Sequence, residues 1–151
     1  MKVWSLVSVL ELVAIVLLAN RAVTTLSGGS EWPGQLWLIS LLLLFHPATG
    51  WAFFQLIYSE RLLTLLFSLF ICAVLEHQRT ESRHSFALAF GCALVGLFVK
   101  DIAVILFVAP AIFTLMLAAS RRDPGERQSY ALEWWLCGLS VVTIAAYLVL
   151  S

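Results

Sequence analysis

The chain predicts an all-α fold, a polytopic transmembrane bundle of about six spans plus one short interfacial helix. Three observations predict it. Of 151 residues, 62% are hydrophobic and 12% charged, against about 45–50% apolar and about 25% charged in soluble domains. Mean hydropathy is +0.97. Apolar runs recur from start to finish, separated by short polar breaks, which leaves no room for a soluble domain and makes residues 1–151 a single integral membrane domain. A formal net charge of zero leaves no basic footprint for nucleic acid.

Crossing a hydrocarbon layer of roughly 30 Å takes about 20 apolar residues. The first candidate span runs from Val3 to Leu26. The second runs from Gln35 to Phe45, with an extension toward Gly50. The third covers Arg61 to Leu75, the fourth Phe86 to Val99, the fifth Ile102 to Ala119 and the sixth Ala131 to Leu150. The fourth is short, and Lys100 at its end can extend its stem toward water. Between the second and third spans, Trp51 to Tyr58 is aromatic, too short to cross, and preceded by Pro47 and Gly50. It reads as an interfacial or re-entrant helix, against the alternative that the second span simply continues as a long tilted helix.

The breaks carry turn chemistry. Ser27 to Gly34 holds three glycines and Pro33, and His46 to Gly50 holds Pro47 and Gly50. His77 to His84 is a charged loop, and Arg121 to Arg127 encloses Pro124 and Gly125. Gly and Pro in such places stop helices.

Cationic residues cluster in cytoplasmic loops. With six spans, Arg21, Arg79, Arg83, Arg121, Arg122 and Arg127 fall on one side, and Lys2, Arg61 and Lys100 on the other. The first set is therefore expected to be cytoplasmic, with both termini outside. Met1-Lys2 before an apolar run also resembles a signal peptide, but Glu11 lies within that run and no convincing cleavage site follows it.

This orientation brings Tyr58-Ser59-Glu60-Arg61, at the head of the third span, to the same outer boundary as Lys100-Asp101, with His46 near the same surface. Ionisable residues inside a membrane cost roughly 2.5–3.5 kcal/mol each at a helix centre, so they mark a pore, a partner or a substrate. Arg61 offers a planar fork and Lys100 a point charge for a phosphate or pyrophosphate. Glu60 and Asp101 could orient those cations, take a proton or help hold a divalent cation. Tyr58 could hydrogen-bond a sugar or headgroup. The plain alternative is that Glu60 or Asp101 pairs with Arg61 or Lys100 and that Tyr58 is an interfacial anchor.

Ser5, Ser8 and Glu11 recur at three-residue spacing and form a polar stripe on the first span. It should face the bundle or a partner membrane protein rather than lipid. Trp134-Trp135 reads as an interfacial belt, and His77 and His84 as solvated loop residues. Cys72, Cys92 and Cys137 read as small apolar residues rather than metal ligands or disulfide partners.

The order of features from His46 to His77 (HPATGWAFFQLIYSERLLTLLFSLFICAVLEH), a short basic loop, then Phe86 to Phe113 (FALAFGCALVGLFVKDIAVILFVAPAIF) resembles the middle of GT-C-type membrane glycosyltransferases. That broad class includes protein mannosyltransferases and aminoarabinose transferases. Glu60 matches the acidic residue that opens a span in this class, and Lys100-Asp101 matches its second outer motif. The resemblance covers about residues 35 to 118. It implies a multi-pass protein of a bacterial inner or plasma membrane that engages a polyprenyl-phosphate-linked sugar at the outer face, with inversion at the sugar. The class carries an acidic first outer loop that activates the acceptor, and no counterpart of it stands here. The chain is thus expected to be a fragment or a reduced relative. The alternative is a non-enzymatic assembly subunit docked through Ser5, Ser8 and Glu11, with a small transporter or flippase ranked third.

Overall fold

The structure, a computed structural model, describes residues 2–30, 32–47, 58–100, 103–120 and 130–150. All regular structure among them is helical. The helices are α1 (Lys2–Leu26), α2 (Gln35–Phe45), α3 (Tyr58–Thr80), α4 (Arg83–Val99), α5 (Ala103–Ser120) and α6 (Ala131–Leu150). The segment expected to form an interfacial helix, 51–58, lies outside the described residues except for Tyr58, which opens α3.

Backbone geometry explains several ends. α1 stops before Gly28 and Gly29, and α2 starts after Gly34. All three glycines have positive φ, at 75°, 89° and 94°, where a Cβ would be strained. α3 ends at Glu81, which takes φ 49° while its amide donates to His77 O at 2.8 Å. This is the left-handed stop that follows many helices.

α3 runs further than the apolar pattern suggests. The stretch from His77 to Thr80, expected as loop, is its last turn. Glu76, Gln78 and Arg79 are good helix formers, and the turn to α4 needs only Glu81 and Ser82. His77 is accordingly buried rather than solvated. Its ring meets Phe86 edge-on at 5.7 Å, and Nδ1 lies 3.2 Å from Ser82 O. His84 is exposed, as expected.

Cross-contacts set the topology. Arg61 of α3 meets Ser8 and Glu11, Cys72 meets Leu18, and Glu76 meets Arg21. Residue numbers rise together along both helices, so α1 and α3 run parallel. α2 packs back on α1, held where Gln35 Nε2 donates to Asn20 Oδ1 at 3.0 Å and Thr24 Oγ1 at 2.9 Å. α3 and α4 form an antiparallel hairpin, and α5 and α6 pack against it and each other.

The core lies among α3 to α6. It comprises Phe70 and Ala73, then Ala89, Cys92 and Ala93, then Ala103, Phe107 and Ala111, then Leu132 and Leu136. The three- and four-residue spacings place each set on one helix face. Phe70 and Phe107 meet edge-on at 5.0 Å. Gly96 faces the Phe107 ring so closely that a Cβ would overlap it. Small residues allow such close approach.

Large apolar side chains are widely exposed, among them Phe98 at 86%, Val149 at 84% and Phe45 at 81%. Among the described residues, two helices, Leu6–Leu26 and Ala131–Val149, are long and apolar enough to cross a membrane. The sequence reading expected six. Helix length and charge account for the difference. α2, at 11 residues, is about 16 Å long. α4 and the apolar part of α5 are only 17 residues each, and α3 carries Glu60 and Arg61 at its start and Glu76 and Arg79 near its end, which leaves a short uncharged stretch between them.

Candidate functional site

α3 opens with two adjacent ionisable residues. Consecutive helical positions point about 100° apart, so Glu60 and Arg61 serve different neighbours. Glu60 reaches the C-terminal end of α4. There Lys100 takes an extended conformation (φ −160°, ψ 134°), and its amide donates to Gly96 O at 3.3 Å. Lys100 Nζ donates to Glu60 Oε1 at 2.8 Å, with the two side chains 43% and 31% exposed. The structure thus brings two of the sequence-selected residues into contact at a water-accessible end of the α3–α4 hairpin.

Arg61 turns the other way, toward α1. Its guanidinium donates to Ser8 Oγ and lies 3.7 Å from Glu11 Oε2, with side chains only 3% and 10% exposed. Arg61 was expected to share an outer anion site with Lys100. Its side chain is instead engaged inside the bundle, where it fixes α1 against α3. The polar stripe of α1 therefore meets the bundle through Ser8 and Glu11. The side chain of Ser5 lies outside the described set.

The remaining selected residues are more scattered. His46 ends α2 in an extended conformation and is exposed. Asp101 lies outside the described residues, and so does the side chain of Tyr58. Among the described residues, no three His, Cys, Asp or Glu side chains stand together as a metal site. The three cysteines are free thiols; Cys72 donates to Leu18 O at 3.0 Å.

Arg21 and Glu76 form an exposed pair at 2.6 Å near the opposite end of α1 and α3. The two ends of this helix pair therefore differ in chemistry. One carries the Glu60–Lys100 pair over the buried Arg61–Glu11 contact; the other carries Arg21, Arg79 and Arg83.

The sequence reading passed over Glu133. It is 4% exposed, and its Oε2 has no hydrogen-bond partner. A signal for it existed: Glu133 is in phase with Leu136 and Ser140, both buried, at spacings of three and seven. The neighbouring Trp134 and Trp135, both exposed, drew attention to the other face of the helix.

Chemically, the Glu60–Lys100 pair can take a ligand that carries an anion for the ammonium and donors for the carboxylate. A lysine ammonium has three donors, of which one is directed at Glu60. No protein-family profile, curated protein or solved structure matches this chain.

Proposed function

We propose that the protein is a multi-pass membrane protein, glycosyltransferase-like, that engages a polyprenyl-phosphate-linked sugar at the outer membrane face through Lys100 and Glu60. Lys100 takes the phosphate, and Glu60 accepts hydrogen bonds from sugar hydroxyls. Arg61 acts as a positioning residue, because its contacts with Ser8 and Glu11 hold the start of α3 and thus the direction of Glu60. The observation that carries this reading is the partly exposed 2.8 Å contact between Lys100 and Glu60, placed where one helix begins and another ends.

Multi-pass insertion is supported by the broad exposure of Phe, Leu and Val side chains. Contiguous apolar surface on this scale is characteristic of lipid or partner contact. With α1 and α3 parallel, the cationic Arg21, Arg79 and Arg83 end suits the cytoplasmic side.

Binding of a polyprenyl-phosphate sugar to the detergent-purified chain tests the reading. Lys100→Ala should weaken binding about tenfold or more, the value of a hydrogen bond between charged groups. Glu60→Gln, which keeps the shape and removes the charge, should weaken it less. Equal binding by wild type and Lys100→Ala removes the proposal.

A further inference from the structure

An apolar groove of about 730 Å³ runs between α3 and α5, walled by Leu63 and Phe67 on one side and by Leu106, Ala109, Pro110 and Phe113 on the other. Leu63 and Ala103, at its upper end, each lie three residues from a member of the ion pair. Leu63 lies three residues, one helical turn, below Glu60. Ala103, also in the lining, donates its amide to Lys100 O at 2.9 Å, so α5 starts directly under Lys100.

We infer that this groove holds one acyl chain of a phosphoethanolamine-headed membrane phospholipid, whose phosphate meets Lys100 and whose ammonium meets Glu60. The inference rests on the membrane placement proposed above and names a second lipid ligand for the same ion pair. Length and charge identify the occupant. From Ala103 to Phe113, ten residues of helix rise about 15 Å. That is half of the roughly 30 Å hydrocarbon layer, the depth of a single leaflet. A groove that begins at the headgroup boundary and ends at the midplane matches an acyl chain of that leaflet.

The Glu60–Lys100 pair, taken by itself, carries no net charge. An anionic headgroup that carries only hydroxyls, like the lipid-linked sugar, gains Lys100 and offers Glu60 neutral donors, whereas an ammonium offers it a stronger, charge-assisted hydrogen bond. A zwitterionic headgroup satisfies both. A primary ammonium donates hydrogen bonds to the Glu60 carboxylate, which a trimethylated ammonium cannot do. The walls offer only apolar side chains, as a hydrocarbon chain requires.

The experiment is native mass spectrometry of the full chain in detergent, equilibrated with equal amounts of phosphatidylethanolamine, phosphatidylcholine and phosphatidylglycerol of identical acyl chains. Phosphatidylethanolamine should be retained over the other two by about tenfold. Glu60→Gln should abolish its preference over phosphatidylcholine. Ala109→Trp should abolish retention altogether; Ala109 is exposed, so the bulk fills the groove without entering the core, and an unchanged helical melting curve confirms the fold. Equal retention of the three lipids, or undiminished retention by Ala109→Trp, overturns the inference. Alkaline extraction of cell membranes separates the two readings. A chain released to the supernatant overturns the membrane placement and the groove with it. A chain that stays in the membrane and binds the lipid-linked sugar, but shows no phospholipid preference, overturns the groove assignment alone.

Discussion

Lys100 Nζ lies 2.8 Å from Glu60 Oε1, although forty residues separate the two in sequence. The contact ties the residue that caps the C-terminus of α4 to the first turn of α3 and closes their hairpin at the end opposite the Glu81-Ser82 turn. Because both side chains remain partly exposed, water screens the attraction, and the pair keeps the capacity to exchange one partner for a ligand.

A double-mutant cycle on this pair should therefore return a small coupling. Glu60→Ala, Lys100→Ala and the double substitution, compared by unfolding in a mixed detergent, should give an interaction of about 1 kcal/mol or less. A much larger coupling would make the pair a structural clamp and undercut the ligand-binding role proposed for it.

Arg61 and Glu11 should behave oppositely. Their contact at 3.7 Å is almost fully enclosed. Arg61→Met alone should cost about 3–5 kcal/mol, because Glu11 is left without its cation in a low-dielectric interior. Arg61→Met combined with Glu11→Leu should recover most of that loss. The same unfolding assay reads both, and a double variant no more stable than the single one would contradict the assignment.

Gly96 should tolerate no side chain while Phe107 is present. Gly96→Val should destabilise by about 1–3 kcal/mol through overpacking between α4 and α5. Phe107→Leu in the same chain should relieve part of this, since the ring is what a Cβ at 96 meets. If Gly96→Val is neutral, α4 and α5 do not approach as closely as the structure has them.

Glu133 should be dispensable for stability. Its Oε2 is buried with no hydrogen-bond partner, so Glu133→Leu removes a desolvated polar group and should raise stability by about 1–3 kcal/mol. A variant that unfolds more easily would show that the carboxyl is held by an interaction outside the described residues.

Much of the fold is legible from hydropathy alone. The start read at Gln35 and the bounds read for Ala131–Leu150 coincide with α2 and α6, because both helices are largely apolar, whereas the extension read from Phe45 toward Gly50 is cut short at His46, which is extended. α3 is harder. Its final turn is polar, and apolar patterning cannot distinguish a helix that continues into polar residues from a loop. The proximity of Glu60 and Lys100 follows from counting alternate crossings. The inward turn of Arg61 does not, because it depends on which helix lies beside α3. That neighbour, α1, is decided by long-range packing. Glu133 was hidden for a different reason: its burial depends on the rotation of α6, and two adjacent tryptophans suggested the opposite face.

The parallel alignment of α1 and α3 bears on synthesis. Glu11 leaves the ribosome fifty residues before Arg61 does. At translation rates of roughly 5–20 residues per second, the nascent first helix waits about 2.5–10 s for its counter-ion. During that interval the acid has no Arg61 to pair with. A slower codon run between positions 11 and 61 would prolong this exposed phase, and a faster one would shorten it.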